Sequence, residues 1–218
     1  MARKPRAQKT TSPKAGKAAA GPADAIVKAT LAEAAAVGWR ELTLAAVAEQ
    51  AGMSLGALLN EAPTKAHLLC RFIAHLDRAT LAGVTTPDFS QSPRDRVFEV
   101  LMRRFDAMNQ VRDGALAIAR GVMRDPGAAV VAGLRTDRSA AAMLGAAGIS
   151  AEGPCGFLRV KGLKAIFLTA ARAWMKDGTA DMANTMAALD KALRQAERLL
   201  RFNPLRRPRG DAAAAAAD

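Results

Sequence analysis

One stretch, residues 43–65, constrains the fold of this 218-residue chain more than any other part of it. Leu44, Val47 and Ala48 form an apolar stripe with the i, i+3, i+4 spacing of a short helix. Thr43 stands directly before this stripe, where its hydroxyl can accept a hydrogen bond from a free amide of the first turn. The pattern therefore predicts a short, capped helix at the start of the stretch.

The rest of the stretch predicts a tight turn and a second short helix. Gly52 suits the left-handed backbone that often follows the end of a helix, and Ser54 can cap the helix that comes next. Pro63 ends this second helix, because proline disfavours helical backbone at the residue before it. Two helices joined by a short turn that contains glycine indicate a helix-turn-helix.

The composition of the whole chain favours an all-α protein. Half of the residues are apolar, but only 4% are aromatic and tyrosine is absent. Alanine, leucine and methionine favour helices, and runs of alternating β-branched residues are missing. We expect about nine helices. Outside residues 43–65, the predicted helices cover about Ala23–Val37, Lys65–Leu81, Pro93–Gln110, Asp113–Arg124, Ala128–Leu144, Cys155–Lys176 and Asp181–Arg201.

Breaks in the helical pattern divide the chain into five predicted parts. They are a disordered basic arm at 1–22, a helix-turn-helix domain at 23–83, a linker at 84–91, a helical domain at 92–203 and a disordered tail at 204–218. The linker is predicted from a cluster of threonine, proline, aspartate and serine. The arm is predicted to be disordered because no apolar face can be drawn on it.

The two ends of the chain carry most of its positive charge. The formal net charge is +12, and residues 1–22 contain six lysines and arginines and no acid. Residues 201–218 contain four arginines and two aspartates. Such basic tails favour nucleic acid or an anionic membrane surface. Residues 24–83 hold only five bases against six acids, so strong binding of this unit to DNA phosphate would need the arm.

Other classes of protein are not indicated by the sequence. Cys70 and Cys155 are too few for a disulfide framework, and with no secretory signal or membrane-spanning run we expect a cytoplasmic protein. His67, Cys70 and His75 share a predicted helix, but they point in widely different directions and no fourth ligand is near, so we expect no metal site. Without a glycine-rich phosphate loop, a G-x-S-x-G motif or a triad, we expect no enzyme activity and no cofactor.

Residues 23–83 resemble the N-terminal domain of the TetR (tetracycline repressor) family of bacterial regulators. The landmarks fall in the family's order: Gly38, then Thr43, Val47 and Ala48, then Ala51, Gly52 and Ser54, then Gly56, and finally Lys65 and Leu68. The remainder matches the family only in the number and length of its helices. The resemblance implies a homodimer that binds a double-stranded DNA operator. It also implies a C-terminal domain that binds a small, apolar effector and dimerises through its last two long helices.

The resemblance implies a set of DNA-binding residues. Thr43 and Ser54 begin helices whose free amides can bind phosphate, and Lys65 matches a phosphate contact of the family. Leu55 and Ala57 can touch the methyl groups of thymine. The full predicted set is Thr43, Ser54, Leu55, Ala57, Leu59, Asn60 and Lys65.

The second helix of the motif also departs from the family. Asn60 can still form two hydrogen bonds with adenine. The family, however, usually has an aromatic residue, commonly tyrosine, at Leu59, a histidine or tyrosine at Glu61, and a phenylalanine at Ala62. Leu59 cannot form the phosphate hydrogen bond of a tyrosine hydroxyl, and Glu61 brings a negative charge towards a polyanion.

The C-terminal domain offers candidate sites for an effector and for a second subunit. The predicted effector pocket is lined by Met102, Phe105, Met123, Met143, Leu163 and Phe167, with ordinary core packing as the alternative for the methionines. The last helix carries apolar residues at alternating spacings of four and three, a seam that faces either its own domain or a second subunit. The predicted dimer interface consists of Ile166, Trp174, Met186, Leu189 and Leu193.

Two functions are consistent with these features. The first is a homodimeric, ligand-responsive transcriptional regulator that acts as a repressor, and whose two helix-turn-helix units enter successive major grooves of a near-palindromic operator. The alternative is a TetR-fold lipid-binding protein of the ubiquinone-biosynthesis type, which has lost DNA binding. The missing aromatic residues, Glu61 and the basic, partly apolar C-terminus suit the alternative.

Overall fold

The computed structural model describes residues 21–84, 86–179 and 181–201, without the side chains at positions 200 and 201. This part of the chain is all-α, as predicted, and contains nine helices and no strand. Most of the predicted arm and the whole predicted tail lie outside it. The helices are α1 (Pro22–Val37), α2 (Leu44–Gln50), α3 (Leu55–Glu61), α4 (Lys65–Leu81), α5 (Pro93–Asn109), α6 (Arg112–Val122), α7 (Pro126–Ala146), α8 (Gly153–Trp174) and α9 (Ala183–Arg201).

Side-chain caps fix the starts of several helices. Thr43 and Ser54 each accept a 3.2 Å hydrogen bond from the backbone amide three residues ahead, as predicted for α2 and α3. Asp125 caps α7 in the same way, 3.0 Å from the amide of Ala128. Because Pro126 stands in the first turn, where a backbone N–H is not needed, α7 begins earlier than the predicted Ala128.

Two glycines of α6 let this helix lie directly against α1 and the loop that follows it. A Cβ atom on Gly114 would lie 2.5 Å from the carbonyl oxygen of Leu31, and one on Gly121 would lie 2.3 Å from Cβ of Trp39. Trp39 is only 2% exposed, because it packs beneath α6. One hydrophobic core therefore runs through both predicted domains.

A buried ion pair joins α4 to α5 and α7. The Arg104 guanidinium on α5 pairs with Asp77 of α4, and the other oxygen of Asp77 accepts a 2.9 Å hydrogen bond from Ser139 of α7. Arg104 is only 4% exposed. Burial lowers the pKa of Arg104, and the neighbouring Asp77 carboxylate opposes this shift. The helix that ends the predicted helix-turn-helix domain is thus tied to the C-terminal helices by charge as well as by apolar packing.

A second polar cluster holds the connection between α8 and α9. The Asp177 carboxylate accepts hydrogen bonds from the backbone amides and hydroxyls of Thr179 and Thr185, at 2.6 to 3.1 Å, and from the Asn184 side chain at 3.2 Å. The Thr179 hydroxyl is the largest of several influences that hold the pKa of Asp177 well below its ordinary value. Arg112 of α6 donates to the backbone oxygens of Trp174 and Asp177, so α6 is anchored to the same turn.

Candidate nucleic-acid interface

The helix-turn-helix forms as the sequence predicts. Gly52 adopts a left-handed conformation (φ +68°), and the amide of Met53 closes the turn by donating to the carbonyl of Ala48 at 3.0 Å. Leu58 is fully buried and anchors α3 against the core. Because Leu58 faces inward, the opposite side of α3 is left in solvent.

The exposed side of α3 presents most of the residues predicted to read DNA. Leu55 and Leu59 are 43% and 39% exposed, and Gly56, Ala57 and Asn60 are exposed as well. At the helical period, Leu55, Gly56, Leu59 and Asn60 share one face, and Ala57 lies at its edge. A Cβ atom on Gly56 would meet nothing within 4 Å, so the backbone of α3 is open to close approach here.

Lys65 is held by the protein itself. Its Nζ donates to the carbonyl oxygens of Trp39 at 3.2 Å and Arg40 at 2.7 Å. These bonds fasten the start of α4 to the loop between α1 and α2. An ammonium group has three N–H donors, so one donor is left beyond these two bonds for the predicted phosphate contact.

The charge of Glu61 is balanced by a neighbour that the sequence pattern did not reveal. Arg71 of α4 pairs with the Glu61 carboxylate at 2.5 Å and also donates to the Glu61 backbone oxygen at 2.7 and 3.1 Å. The Glu61 side chain is 50% exposed, so the pair lies at the surface of the motif. The repulsion expected between Glu61 and DNA is weakened because a cation accompanies the carboxylate. Ala62, where the family usually has phenylalanine, is completely buried at the end of α3.

The structure brings together most, but not all, of the residues predicted for an effector pocket. The rings of Phe105 and Phe167 stack with their centroids 5.5 Å apart. Met143 and Leu163 are 3% and 4% exposed in the same core, and Met102 packs against it. Met123 has to be removed from the set. It caps the C-terminal end of α6 and is 61% exposed, so it lines the surface and not the interior.

The predicted dimer interface also needs correction. Trp174 and Leu189 are fully buried and Leu193 is 6% exposed within a single chain. These three side chains fill the protomer's own core and leave no surface for a partner. Met186 remains 37% exposed and Ile166 is partly exposed. The seam of the last helix therefore faces its own domain, one of the two possibilities left open by its spacing.

The two histidines considered for a metal site have other partners. His67 Nδ1 lies 2.8 Å from the hydroxyl of Thr64, and His75 Nδ1 lies 3.8 Å from the carboxylate of Asp24. Within the described ranges, no three histidine, cysteine, aspartate or glutamate side chains cluster where they could hold a metal ion. In the same part of the chain, no helix is both long and apolar enough to span a bilayer.

This geometry, with a buried anchor on one side of α3 and an open face on the other, defines a helix-turn-helix protein. Residues 26–71 match the family described as bacterial regulatory proteins, tetR family. Among solved structures, the chain is similar to a TetR transcriptional regulator from Nitrosomonas europaea ATCC 19718, with 21% identity over 81% of this chain and 98% of the other, and a TM-score of 0.65. A TetR transcriptional regulator from Rhodococcus sp. RHA1 gives 20% identity, coverage of 78% and 92%, and a TM-score of 0.61.

No curated protein sequence matches the chain. The resemblance of the N-terminal residues to the TetR family is nevertheless confirmed by the family match, and the solved structures show a shared fold. The chain carries a domain of this family at residues 26–71 and has the fold of its transcriptional regulators.

Proposed function

We propose that this protein is a homodimeric, non-enzymatic transcriptional regulator that acts on chromosomal DNA in the cytoplasm and responds to a small effector as a repressor. The observation that carries the proposal is the open face of α3, where Leu55, Leu59 and Asn60 are exposed around an unobstructed Gly56. A helix of this kind reads base edges from the major groove. Asn60 supplies an amide that fits adenine, and the two leucines fit thymine methyl groups.

The distribution of charge supports different roles in DNA binding for α3 and for other parts of the chain. α3 contains no lysine or arginine, and its one carboxylate is paired with Arg71. Specific contacts with bases would then come from α3. The sequence-independent attraction to phosphate would come from cations elsewhere, including the six in residues 1–22.

The dimer is proposed to form on the outer faces of α8 and α9. Small or apolar residues are exposed there, among them Gly162, Ala165 and Leu168 on α8 and Ala187 and Met186 on α9. Small residues allow two helices to approach closely, and contact between the subunits would bury apolar surface of the leucine and the methionine away from water. This surface replaces the buried part of the interface that the sequence suggested.

The effector is proposed to enter between α5, α7 and α8, at an apolar centre where Phe105 and Phe167 stack and where Met143 is buried in the same core. Arg104 borders this centre, with its guanidinium carbon 6.0 Å from the Phe167 ring centroid. An effector that binds one arrangement of these helices more tightly than another shifts the population away from the DNA-competent state. The tie between Arg104 and Asp77 offers a physical link from this centre to α4.

The test is a selection of bound duplexes from a random DNA library with the full-length protein, followed by mobility shifts on the selected sequence. A regulator of this kind enriches a near-palindrome with half-sites about one helical turn or more apart. A matched variant without residues 2–20 should bind the same sequence more weakly and with a shallower salt dependence. The proposal would be contradicted if a folded dimer enriches no sequence and gives no mobility shift with any duplex at low salt.

A lipid-binding function is the second candidate, and one observation favours it. Large apolar side chains lie exposed on α7 and at the start of α8: Val130, Leu134, Phe157 and Leu158 are 60% to 68% exposed. Exposed apolar side chains of this size can insert into a membrane surface. Flotation with anionic phospholipid vesicles, using the full chain and a 1–200 truncation, separates the two functions. Co-flotation of the full chain without any DNA selection would favour lipid binding over regulation.

A further inference from the structure

We infer that a cleft between the α1–α2 loop and the α6–α7 corner is a second contact surface for the DNA backbone, in which Arg40 and Arg124 hold phosphate oxygens. This inference rests on the proposed DNA-binding function. The cleft has a volume of about 350 Å³ and opens to solvent. Its lining comes from both predicted domains: Trp39, Arg40, Lys65, Arg124, Asp125 and Pro126.

The charges that face the cleft suit an anion. Three cations, Arg40, Lys65 and Arg124, meet a single carboxylate, Asp125. One oxygen of Asp125 is occupied as the cap of α7, at 3.0 Å from a backbone amide. Lys65 is fixed by its two carbonyl bonds, so its positive charge stays at the cleft. The excess of cations gives the cleft a positive potential that is set by the fold.

Arg40 and Arg124 are the two groups free to move onto a ligand. Both side chains are exposed, and neither has an ion-pair partner among the residues that the structure describes. A guanidinium offers a planar fork of N–H donors that matches two phosphate oxygens. Both arginines can therefore bind phosphate without first breaking a salt bridge.

The position of the cleft places these arginines beside the DNA-binding motif. Arg40 stands three residues before Thr43, the cap of α2, so no more than about 11 Å of extended chain separates their Cα atoms. Arg124 is held nearby because Gly121 of α6 packs against Trp39 with no room for a side chain. Lys65, four residues after the end of α3, also lines the cleft. A duplex that lies across the open face of α3 would therefore bring its backbone towards the cleft.

A DNA backbone fits this cleft better than a small anion does. The cleft is open, so a free phosphate ion would keep much of its hydration. A duplex brings phosphates at high charge density and releases condensed counterions when cations replace them. The helix-turn-helix unit at 24–83 has one more acid than bases, so it needs cations from outside its own residues. Arg124 is such a cation, and it reaches the motif only through the tertiary fold.

The test uses the full-length chain and a fluorescently labelled random-sequence duplex over a series of KCl concentrations. Arg124→Gln should lower the slope of log K against log salt by about 0.9 for each phosphate that the variant no longer neutralises, and should weaken binding about fivefold to tenfold near ~0.1 M salt. Arg40→Gln should act similarly. Arg138→Gln is the matched control, because Arg138 is also an exposed arginine but lies about 18 Å along α7 from Pro126.

The possible outcomes distinguish the inferred surface from the proposed function. If the wild type binds DNA but Arg124→Gln leaves both affinity and slope equal to those of Arg138→Gln, the inferred surface is wrong and the proposed function stands. If the wild type binds no duplex at low salt, both the inferred surface and the proposed DNA-binding function are wrong. A titration with inorganic phosphate at constant ionic strength separates the anion sources. One result would replace the backbone contact with a site for a free anion. Phosphate would raise the thermal stability of the wild type but not that of Arg124→Gln, while the two proteins would show the same slope of log K for DNA against log salt.

Discussion

The open face of α3 and the buried junction of α4, α5 and α7 use polar side chains in opposite ways. On α3, Asn60 lies in solvent and no cation is present in the helix. At the junction, Arg104 is 4% exposed and pairs with Asp77, which also accepts from Ser139. Exposed polar groups are already satisfied by water, so changing them affects recognition much more than folding. A buried charge is stabilised by its partner, so removal of either member of the pair lowers the stability of the fold.

This contrast predicts that substitutions at the junction unfold the protein, whereas substitutions on α3 change what it binds. Between these limits lie groups that serve both purposes, such as the capping residue Ser54. A ranking of substitutions by their effect on the free energy of unfolding therefore tests the contrast directly.

The largest effect is expected at the junction. Arg104→Ala leaves the partly buried Asp77 carboxylate without its cation, and should lower the free energy of unfolding by about 3 to 5 kcal/mol in urea denaturation. Arg103→Ala is the control, because Arg103 makes an exposed i, i+4 pair with Glu99 that is worth about 0.5 kcal/mol or less. Similar losses for the two neighbours would show that burial of Arg104 does not have the expected energetic consequence.

The next effect is expected at the α8–α9 turn. Asp177→Ala removes the acceptor of five hydrogen bonds and should destabilise the fold by about 2 to 3 kcal/mol. Asp181→Ala serves as the control, since the exposed Asp181 accepts one hydrogen bond, from the amide of Ala183, among the residues that the structure describes. Thermal and urea unfolding of the two variants should differ clearly. A loss for Asp181→Ala as large as that for Asp177→Ala would contradict the idea of a hydrogen-bonded hub.

The contribution of Asp177 also predicts a pH dependence. The pKa of Asp177 is held well below the ordinary 3.8 in the folded chain, so the unfolded chain binds a proton first as the pH falls. Its stabilising effect is complete above the unfolded pKa and is lost as the pH falls from there towards the folded pKa. The difference in unfolding free energy between the wild type and Asp177→Ala should therefore be constant near neutral pH and shrink in acid. A constant difference down to strong acid would exclude this linkage.

A smaller effect is expected at the cap of α3, where stability and DNA binding can be separated. Ser54→Ala should lower the free energy of unfolding by about 1 kcal/mol, because the amide of Ala57 loses its acceptor. Ser54→Asp retains an acceptor and should keep most of the stability, but its negative charge would weaken binding to DNA. If Ser54→Asp binds DNA as tightly as the wild type does, Ser54 lies away from phosphate.

The smallest effect on folding is expected at Asn60. Asn60→Ala should change stability by less than about 0.5 kcal/mol, because the side chain is exposed. The variant should bind a selected operator less favourably by about 1 to 3 kcal/mol, and should discriminate less between bases at one base pair of that operator. Gln50→Ala is the control, since Gln50 lies at the end of α2 and its amide is bonded to Glu33 of α1. A fall of equal size at Gln50 would mean that Asn60 has no special role in base reading.

The features that the sequence predicted well are local. Thr43 and Ser54 cap their helices, Gly52 adopts the left-handed turn, and α4 spans the predicted residues Lys65–Leu81. Each of these depends on contacts within four residues along the chain, which a sequence displays directly. The resemblance to a known family depended on the same local signals, and it was confirmed over residues 26–71.

The features that the sequence missed bring together residues that are distant along the chain. Arg104 lies on the apolar face of α5, at helical spacing from Val100 and Met108, whereas its neighbour Arg103 lies off that face and is exposed. The sequence pattern does not show the carboxylate that pairs with the buried guanidinium, which is Asp77 of α4. The periodicity of α9 showed an apolar seam but could not say which neighbour covers it. The structure places Leu189 and Leu193 of this seam inside the protomer.

The sequence by itself thus determined where each helix lies, with ends within two residues of the observed ones, and that two helices form a helix-turn-helix whose second helix carries no cation. Only the tertiary structure decided that Arg71 accompanies Glu61, that Arg104 is buried against Asp77, and that Arg124 lies beside the α1–α2 loop. The physical reason is the range of the forces involved. Caps and turns are satisfied within one helical turn, whereas the burial of a charge depends on every helix that packs around it.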